Sequence, residues 1–283
     1  MLYVVYPFRY SNRRLVIKHE MYFALFKREV IDELEKMVVL DLSFSSITYI
    51  RPFTFVNLHF LKELDISFND ISVIEENSFN GLHKLNKLSL ASCKIKSIYP
   101  YAFRCLENLK ILNLFDNNLE ILRANLFYGL INLEELSLIY CNIRQIETKT
   151  FKCLERLKTL YLADNKLQIL NEDMFENLTS LETLYLSSCQ IIQIDRYTFK
   201  NLCNLKHLDL SNNSLESIKN NVFDGLKNLL ELKLEDCKIS YIESNAFECL
   251  KSLKLVNMAR NPIDQEIEDK SKFEKLDLLG KCT

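Results

Sequence analysis

The chain has 283 residues, 26% of them charged, with a net charge of −2 and a pI near 6.2. That balance leaves no basic footprint for a nucleic-acid partner, and no apolar run approaches the ~18 residues that a membrane-spanning helix needs. No Pro-, Gly- or Ser-rich linker divides the sequence, so one continuous body is expected rather than two domains.

The opening segment, MLYVVYPFRYSNRR, is apolar for only about seven residues. It lacks a leading basic region and a small-residue cleavage site, and so makes a poor signal peptide. Residues 15–33 read as a degenerate coil, with Leu15 and Ile17 on a strand and Tyr22, Leu25 and Val30 in later apolar positions. Residues 1–33 are therefore expected to cap the N-terminal end, the Tyr- and Phe-rich stretch 1–14 lying over the open edge.

From residue 34 to 263 the sequence repeats every 24 residues, each unit of the form LxxLxxLxLxx(N/C)x(I/L)xx(I/L)xxxxFxx opening at Leu58, Leu82, Leu106, Leu130, Leu154, Leu178, Leu202, Leu226 and Leu250. A fixed period in this range marks a solenoid. Within Leu106–Gly129, Leu112 and Leu114 alternate with Ile111, Asn113 and Phe115, the period of two that defines a short strand with one face inward. Leu106, Leu109, Leu119, Leu122 and Phe127 turn inward around the rest of the coil. One coil cannot close over these side chains, whereas stacked coils can, so about ten coils with a parallel sheet on the concave side are expected, and little regular helix on the convex side. The late Phe, from Phe55 to Phe247, forms a second column, a stacked spine in the core.

The position after the strand reads Asn69, Cys93, Asn117, Cys141, Asn165, Cys189, Asn213, Cys237, Asn261, a strict alternation with a 48-residue period. Asn here can satisfy backbone groups of the bend and of the neighbouring coil, and Cys is a small, weakly donating substitute for a buried corner. Members of the Cys column lie two coils apart, roughly 9–10 Å, beyond the ~7 Å between Cα atoms that a disulfide allows. Cys105, Cys153 and Cys249 form another column with equal or wider spacing, while Cys203 and Cys282 fit neither. Free thiols are therefore expected. Beyond Asn261-Pro262, the segment 264–283 places Ile267, Lys270, Phe273, Leu276 and Leu279 at helical spacing before Gly280, and a capping helix is expected there.

The strand motifs LKELDISFNDI (61–71) and LKHLDLSNNSL (205–215) resemble the leucine-rich repeat family, over roughly residues 34–263. The 24-residue length with a late Phe is similar to the variety found in animal cell-surface and secreted proteins, Toll-like receptors among them. The resemblance implies an α/β fold: a curved, right-handed horseshoe with a parallel concave sheet and an irregular or short-helical convex side. It also implies an extracellular or cell-surface setting, although the disulfide-rich caps usual in such proteins have no counterpart in this sequence.

Catalytic chemistry finds no foothold. The four glycines cannot form a phosphate-cradling loop, and the four histidines show no metal-ligand spacing, so no cofactor or metal is expected. His207 lies four residues from Cys203, but one is a strand residue facing solvent and the other belongs to the preceding turn. The sequons at Asn177 and Asn212 are no more than chance supplies in so Asn-rich a chain. The informative positions face outward from the concave strands: Ile111, Phe115, Ile139, Tyr140, Tyr161 and Tyr185, with a smaller aromatic pair, Phe44 and Phe68, nearer the N-terminus. Asp116, Asp164, Asp209, Glu231, Glu235 and Asp236 would give this face an acidic rim. Exposed aromatics in a cluster mark a partner site. The expectation is a non-enzymatic interaction module that holds a protein or peptide on its concave face, with a homodimer as a compatible assembly. The rival is a scaffold that binds through its edges or convex face, and a more distant one an enzyme with chemistry in the terminal segments.

Overall fold

The computed structural model describes residues 35–263, together with strands at 14–16 and 277–278. Three-residue strands recur once per coil, from Val39–Asp41 to Leu255–Asn257, and form a single 12-stranded parallel sheet whose outermost strands are Arg14–Val16 and Asp277–Leu278. The register advances by one repeat per strand, so that Leu112, Leu136, Leu160 and Leu184 stand side by side with the central residue of each strand buried. The remaining apolar positions close the core behind the sheet. Phe79, Phe103 and Phe127 stack with ring centroids 5.8 and 6.5 Å apart, and Phe175, Phe199 and Phe223 continue the spine at 6.1 and 6.5 Å.

No helix occurs among the described residues, so the α component of the expected α/β class, and its short convex helices, give way to turns and two-residue strands. The cause is local. Backbone bonds such as Ser78 N to Glu75 O, Asn80 N to Asn77 O and Leu82 N to Phe79 O span three residues. The run cannot continue as an α-helix because Asn77, Tyr101, Asn125, Lys149, Tyr197 and Asn221 take left-handed φ values of 59–68° in its midst. Of the terminal segments, Leu15 belongs to a strand paired with Leu40. The other apolar positions of the degenerate coil and residues 1–13 lie outside the described residues, as does the helix expected over 264–283, apart from Asp277–Leu278, which pair as a strand with Leu255–Val256.

The Asn–Cys alternation has a structural counterpart on the far side of the coil. Each described Asn of the ladder is buried. The Asn165 amide donates to Leu138 O, Leu162 O and Ala163 O, and its Oδ1 accepts from Cys141 N and Ile143 N of the preceding coil. Asn213 and Asn261 repeat the pattern. Cys reproduces only the donor side of it: Cys141 Sγ lies 3.1 Å from Leu114 O and 3.6 Å from Ile139 O, and Cys189 Sγ 3.0 Å from Leu162 O and 3.5 Å from Ser187 O. A thiol cannot accept two amides, so the coil before a Cys finds carbonyls instead, Asn117 N donating to Tyr140 O and Leu119 N to Cys141 O.

The two solutions bend the chain differently. Cys coils place Lys94, Asn142, Gln190 and Lys238 in the left-handed region one residue after the slot, whereas Asn coils place Glu120, Gln168 and Glu216 there, three residues after it. Among the described residues the convex strands pair only within Asn–Cys couples: Val73–Ile74 with Ser97–Ile98, Ile121–Leu122 with Gln145–Ile146, Ile169–Leu170 with Gln193–Ile194, and Ser217–Ile218 with Tyr241–Ile242. Shallow clefts open between couples, one lined by Ile98, Leu119 and Ile121, another by Ile194, Leu215 and Ser217.

All eight described cysteines are free thiols, and Cys282 lies outside the described residues. Burial pushes Cys93 and Cys237 up to about 11, and Cys141 and Cys189 up to about 12. The thiolate is the reactive form, and Cys203 is the exposed thiol of the described set. A thiol reagent applied at pH 8 to the native protein is therefore expected to modify Cys203 quickly and the four ladder thiols only after unfolding. Peptide mapping checks this, and fast native labelling of Cys141 or Cys189 would contradict the buried-ladder geometry.

Candidate recognition face

The outward positions of the long sheet form columns that run from coil to coil. Strand pairing aligns Ile111 with Glu135, Thr159 and Thr183 in one column, and Asn113 with Ser137, Tyr161 and Tyr185 in another. Phe115 and Ile139 follow the strands two residues on, with Asp116, Tyr140 and Asp164 beyond them. The ladder continues through these positions, since Asp116 N donates to Ile139 O, Tyr140 N to Ala163 O and Asp164 N to Ser187 O.

The structure groups the predicted aromatics as two pairs. Phe115 and Tyr140 meet edge to face at 5.8 Å and 89°, and Tyr161 stacks on Tyr185 at 4.9 Å and 1°. Tyr140 is 53% exposed, while Ile111, Phe115, Ile139, Tyr161 and Tyr185 are half-buried by their neighbours. Ser137 is the strand partner of Tyr161 in the preceding coil, so a small residue stands between the pairs in that column. Burial raises the Tyr161 hydroxyl above the usual tyrosine range, helped by the Glu135 carboxylate and by Tyr185. Exposed aromatics also occur off this face. Tyr101 and Tyr128 pack edge to face at 5.1 Å on the outer turns, and the Lys84 ammonium lies 4.4 Å from the Phe60 ring.

The acidic rim is smaller than its residues imply. Glu231 pairs with His207 at 3.0 Å and Lys233 at 3.6 Å, and Arg260 lies 3.2 Å from Glu235 and 3.8 Å from Asp236. Asp209 Oδ1 accepts the Ser211 amide, a turn-closing role that Asp41 and Asp65 repeat towards Ser43 and Ser67. Asp116 and Asp164, the two rim carboxylates that flank Tyr140, have no ion pair among the described residues.

Sequence reading missed a charge ladder on the edge of this face. Lys110 lies 3.1 Å from Glu134, Lys158 2.6 Å from Glu134, and Lys206 2.7 Å from Glu182. The hydrogen bond from Lys158, followed by that from Lys110, holds Glu134 below the ordinary carboxylate range, and Lys206 does the same for Glu182. Its signal was present as Lys and Glu alternating at 24-residue intervals, 110 to 206. These pairs are exposed and contribute little to stability individually. Their effect is to cancel charge along one margin, which leaves Asp116 and Asp164 beside Tyr140, and Glu135 and Asp209 beside the Tyr161–Tyr185 pair, as carboxylates near the aromatics without an ion pair among the described residues.

His207 Nδ1 is engaged by Glu231, and the nearest recorded partner of Cys203 Sγ is Lys200 O at 3.8 Å, so the two do not form a nucleophile–base pair. Among the described residues no group of three or more His, Cys, Asp or Glu is placed to hold a metal ion, and no helix is long and apolar enough to cross a membrane.

Comparison with known proteins fits this architecture. The leucine rich repeat model matches residues 35–95, 83–143, 131–191, 190–239 and 204–263. A comparison with curated protein sequences found no match. Among solved structures, that of the TLR13–ssRNA13 complex is 34% identical with a TM-score of 0.78, over 82% of this chain and 34% of that one. The mouse RP105/MD-1 complex is 27% identical with a TM-score of 0.70, over 80% and 39% of the two chains. The Leptospira interrogans protein LIC12759 is 25% identical with a TM-score of 0.72, over 94% and 64%. The chain thus spans between a third and two thirds of the length of these neighbours. The first of them corrects the expectation of no nucleic-acid partner: a structurally similar leucine-rich repeat chain is solved with single-stranded RNA, so that partner class is not excluded for this fold. The receptor-like neighbours support a recognition or interaction module. With its 24-residue coils matched by the family model from residue 35 to 263, the chain belongs to the leucine-rich repeat family.

Proposed function

We propose that the sheet face is a recognition surface for a protein or peptide ligand and that the protein acts by binding rather than catalysis. The observation that carries this reading is the pair of aromatic contacts, Phe115 with Tyr140 and Tyr161 with Tyr185, left partly open on neighbouring coils of one rigid sheet. Aromatic side chains supply large contact area at low entropic cost, and interface energy concentrates on such groups. Ile111 and Ile139, half-buried on the coils that carry Phe115 and Tyr140, add apolar area to the same face. One of the similar structures, RP105 with MD-1, is itself a complex of two proteins, which supports a protein ligand. A secreted or cell-surface setting belongs to the same proposal.

The test compares the wild type with Tyr140→Ala/Tyr161→Ala/Tyr185→Ala by thermal melting and by capture of partners from a native extract, identified by mass spectrometry. The triple variant is expected to melt within a few degrees of wild type and to lose its partner at least about tenfold, since each anchor truncation costs roughly 1–2 kcal/mol. A marked fall in melting temperature with undiminished capture makes the tyrosines packing residues and ends the proposal. The Tyr101–Tyr128 contact on the outer turns favours the scaffold rival, so Tyr101→Ala/Tyr128→Ala serves as its probe. Loss of capture in that variant alone moves binding to the convex side.

A further inference from the structure

The position just before the Asn–Cys ladder is left-handed in every described coil: Phe44, Phe68, Ser92, Asp116, Tyr140, Asp164, Ser188, Asn212, Asp236 and Arg260 have φ values of 52–58°. Asn and Asp enter this region most easily among residues with side chains, and bulky ones are outliers there. Four coils carry Asp or Asn there and two carry Ser, whereas Phe44, Phe68, Tyr140 and Arg260 are bulky exceptions. Phe44 and Phe68 are the two that stand in adjacent coils, and burial does not compensate for their strain, because each ring is 50% exposed. Strain retained without a folding benefit points to a use outside the fold.

The two rings are stacked, 4.3 Å between centroids with planes 6° apart. They come from adjacent hydrogen-bonded coils, Phe44 N donating to Ser67 O and Phe68 N to Ala91 O. A parallel stack at the coil spacing directs the ring normals along the solenoid, so Phe68 turns its second face towards the next coil. There the row carries Ser92, too small to cover a ring, and one coil further the exposed Asp116 carboxylate. Lys94, two residues after Ser92, is already ion-paired with Asp70.

We propose that Phe68, Ser92 and Asp116 form a subsite for an arginine side chain of the protein ligand. This deepens the sheet-face reading above and rests on it. The guanidinium lies flat on the free face of Phe68, occupies the space above Ser92 and donates from its edge to Asp116. Two coils span about 10 Å, which a ring-to-cation separation within about 6 Å and an ion pair near 3 Å together fill. Arginine fits better than lysine because its planar fork stacks and hydrogen-bonds at once, whereas an ammonium is a compact, strongly hydrated charge. A nucleobase could also stack on Phe68, but its phosphates would meet Asp116, Asp41 and Asp65.

Fluorescence anisotropy of the full chain with labelled nona-arginine, nona-lysine and oligouridylate tests the assignment. The arginine peptide is expected to bind about five- to tenfold tighter than the lysine peptide. Phe68→Asn should abolish that preference while leaving the melting temperature equal or higher, because Asn suits the left-handed slot. Asp116→Asn should weaken the arginine peptide, and Tyr161→Ala/Tyr185→Ala should leave the preference intact. Equal affinities in the wild type, or a preference that survives Phe68→Asn, overturn the subsite. If the preference instead falls only in the Tyr161/Tyr185 variant, the subsite fails while the sheet-face reading stands. Phe68-dependent binding of oligouridylate, undiminished by Asp116→Asn, reassigns the ring to a nucleobase and overturns the arginine proposal.

Discussion

Gly225→Ala is expected to destabilise the solenoid by about 3 kcal/mol or more, read as a fall in the midpoint of urea unfolding. Gly225 has φ +103°, and a Cβ there would sit 2.4 Å from Phe199 O and 2.6 Å from Lys200 Cα, both backbone atoms of the preceding coil. Neither can swing aside, so relief requires the two coils to separate and the Phe199–Phe223 stack beneath them to loosen. Gly129 meets the backbone of Arg104 in the same way at 2.6 Å. Cys249 occupies the equivalent position outside the left-handed region, so Cys249→Ala should cost far less, about 1 kcal/mol. Similar costs for the two variants would show that the close approach at Gly225 is not what fixes the spacing of these coils.

Asn165→Ala should cost about 2–5 kcal/mol, because it leaves the buried amides of Cys141 and Ile143 without an acceptor and frees three carbonyls from their shared donor. Asn165→Cys sharpens the point. Cysteine is native to the neighbouring slots, so a reading based on size alone predicts tolerance. The hydrogen bonds predict nearly the full loss, since the thiol can replace the donor to Leu138 O but cannot receive two amides. Hydrogen exchange supplies a second readout, with the Cys141 and Ile143 amides losing protection ahead of their neighbours. A change below about 0.5 kcal/mol in both variants would remove the ladder from the account of what holds the coils in register.

Much of this was legible in the chain itself. The repeat fixed the coil, the alternation of Leu112 and Leu114 with their neighbours fixed the strand and its inward face, and the recurring Phe fixed the spine, because each feature is a local pattern that only stacking can satisfy. The buried Asn ladder followed from the need to pair the backbone of a bend. The candidate face was legible as a column of residues, since the side-chain period of a strand assigns Ile111, Asn113 and Tyr161 to the outside without knowledge of anything beyond the strand. What the sequence could not show was the mutual arrangement of those outward groups. Whether Phe115, Tyr140, Tyr161 and Tyr185 make one patch or two pairs depends on rotamers and on Ser137 between them, and whether an acid is a free charge or one half of an ion pair depends on the coil 24 residues away. The convex side was the least readable. Its turns in place of short helices go with left-handed residues that recur in Asn and Cys coils alike, from Asn77 to Asn221. The coupling of its strands in twos follows the alternation instead, in which an Asn carboxamide or a neighbouring carbonyl satisfies the amides of the bend. Sequence determined that the coils stack and which residues they bury; the hydrogen bonds between coils, formed only once they had stacked, decided the path of the chain around the outside and which groups on the sheet face remain available.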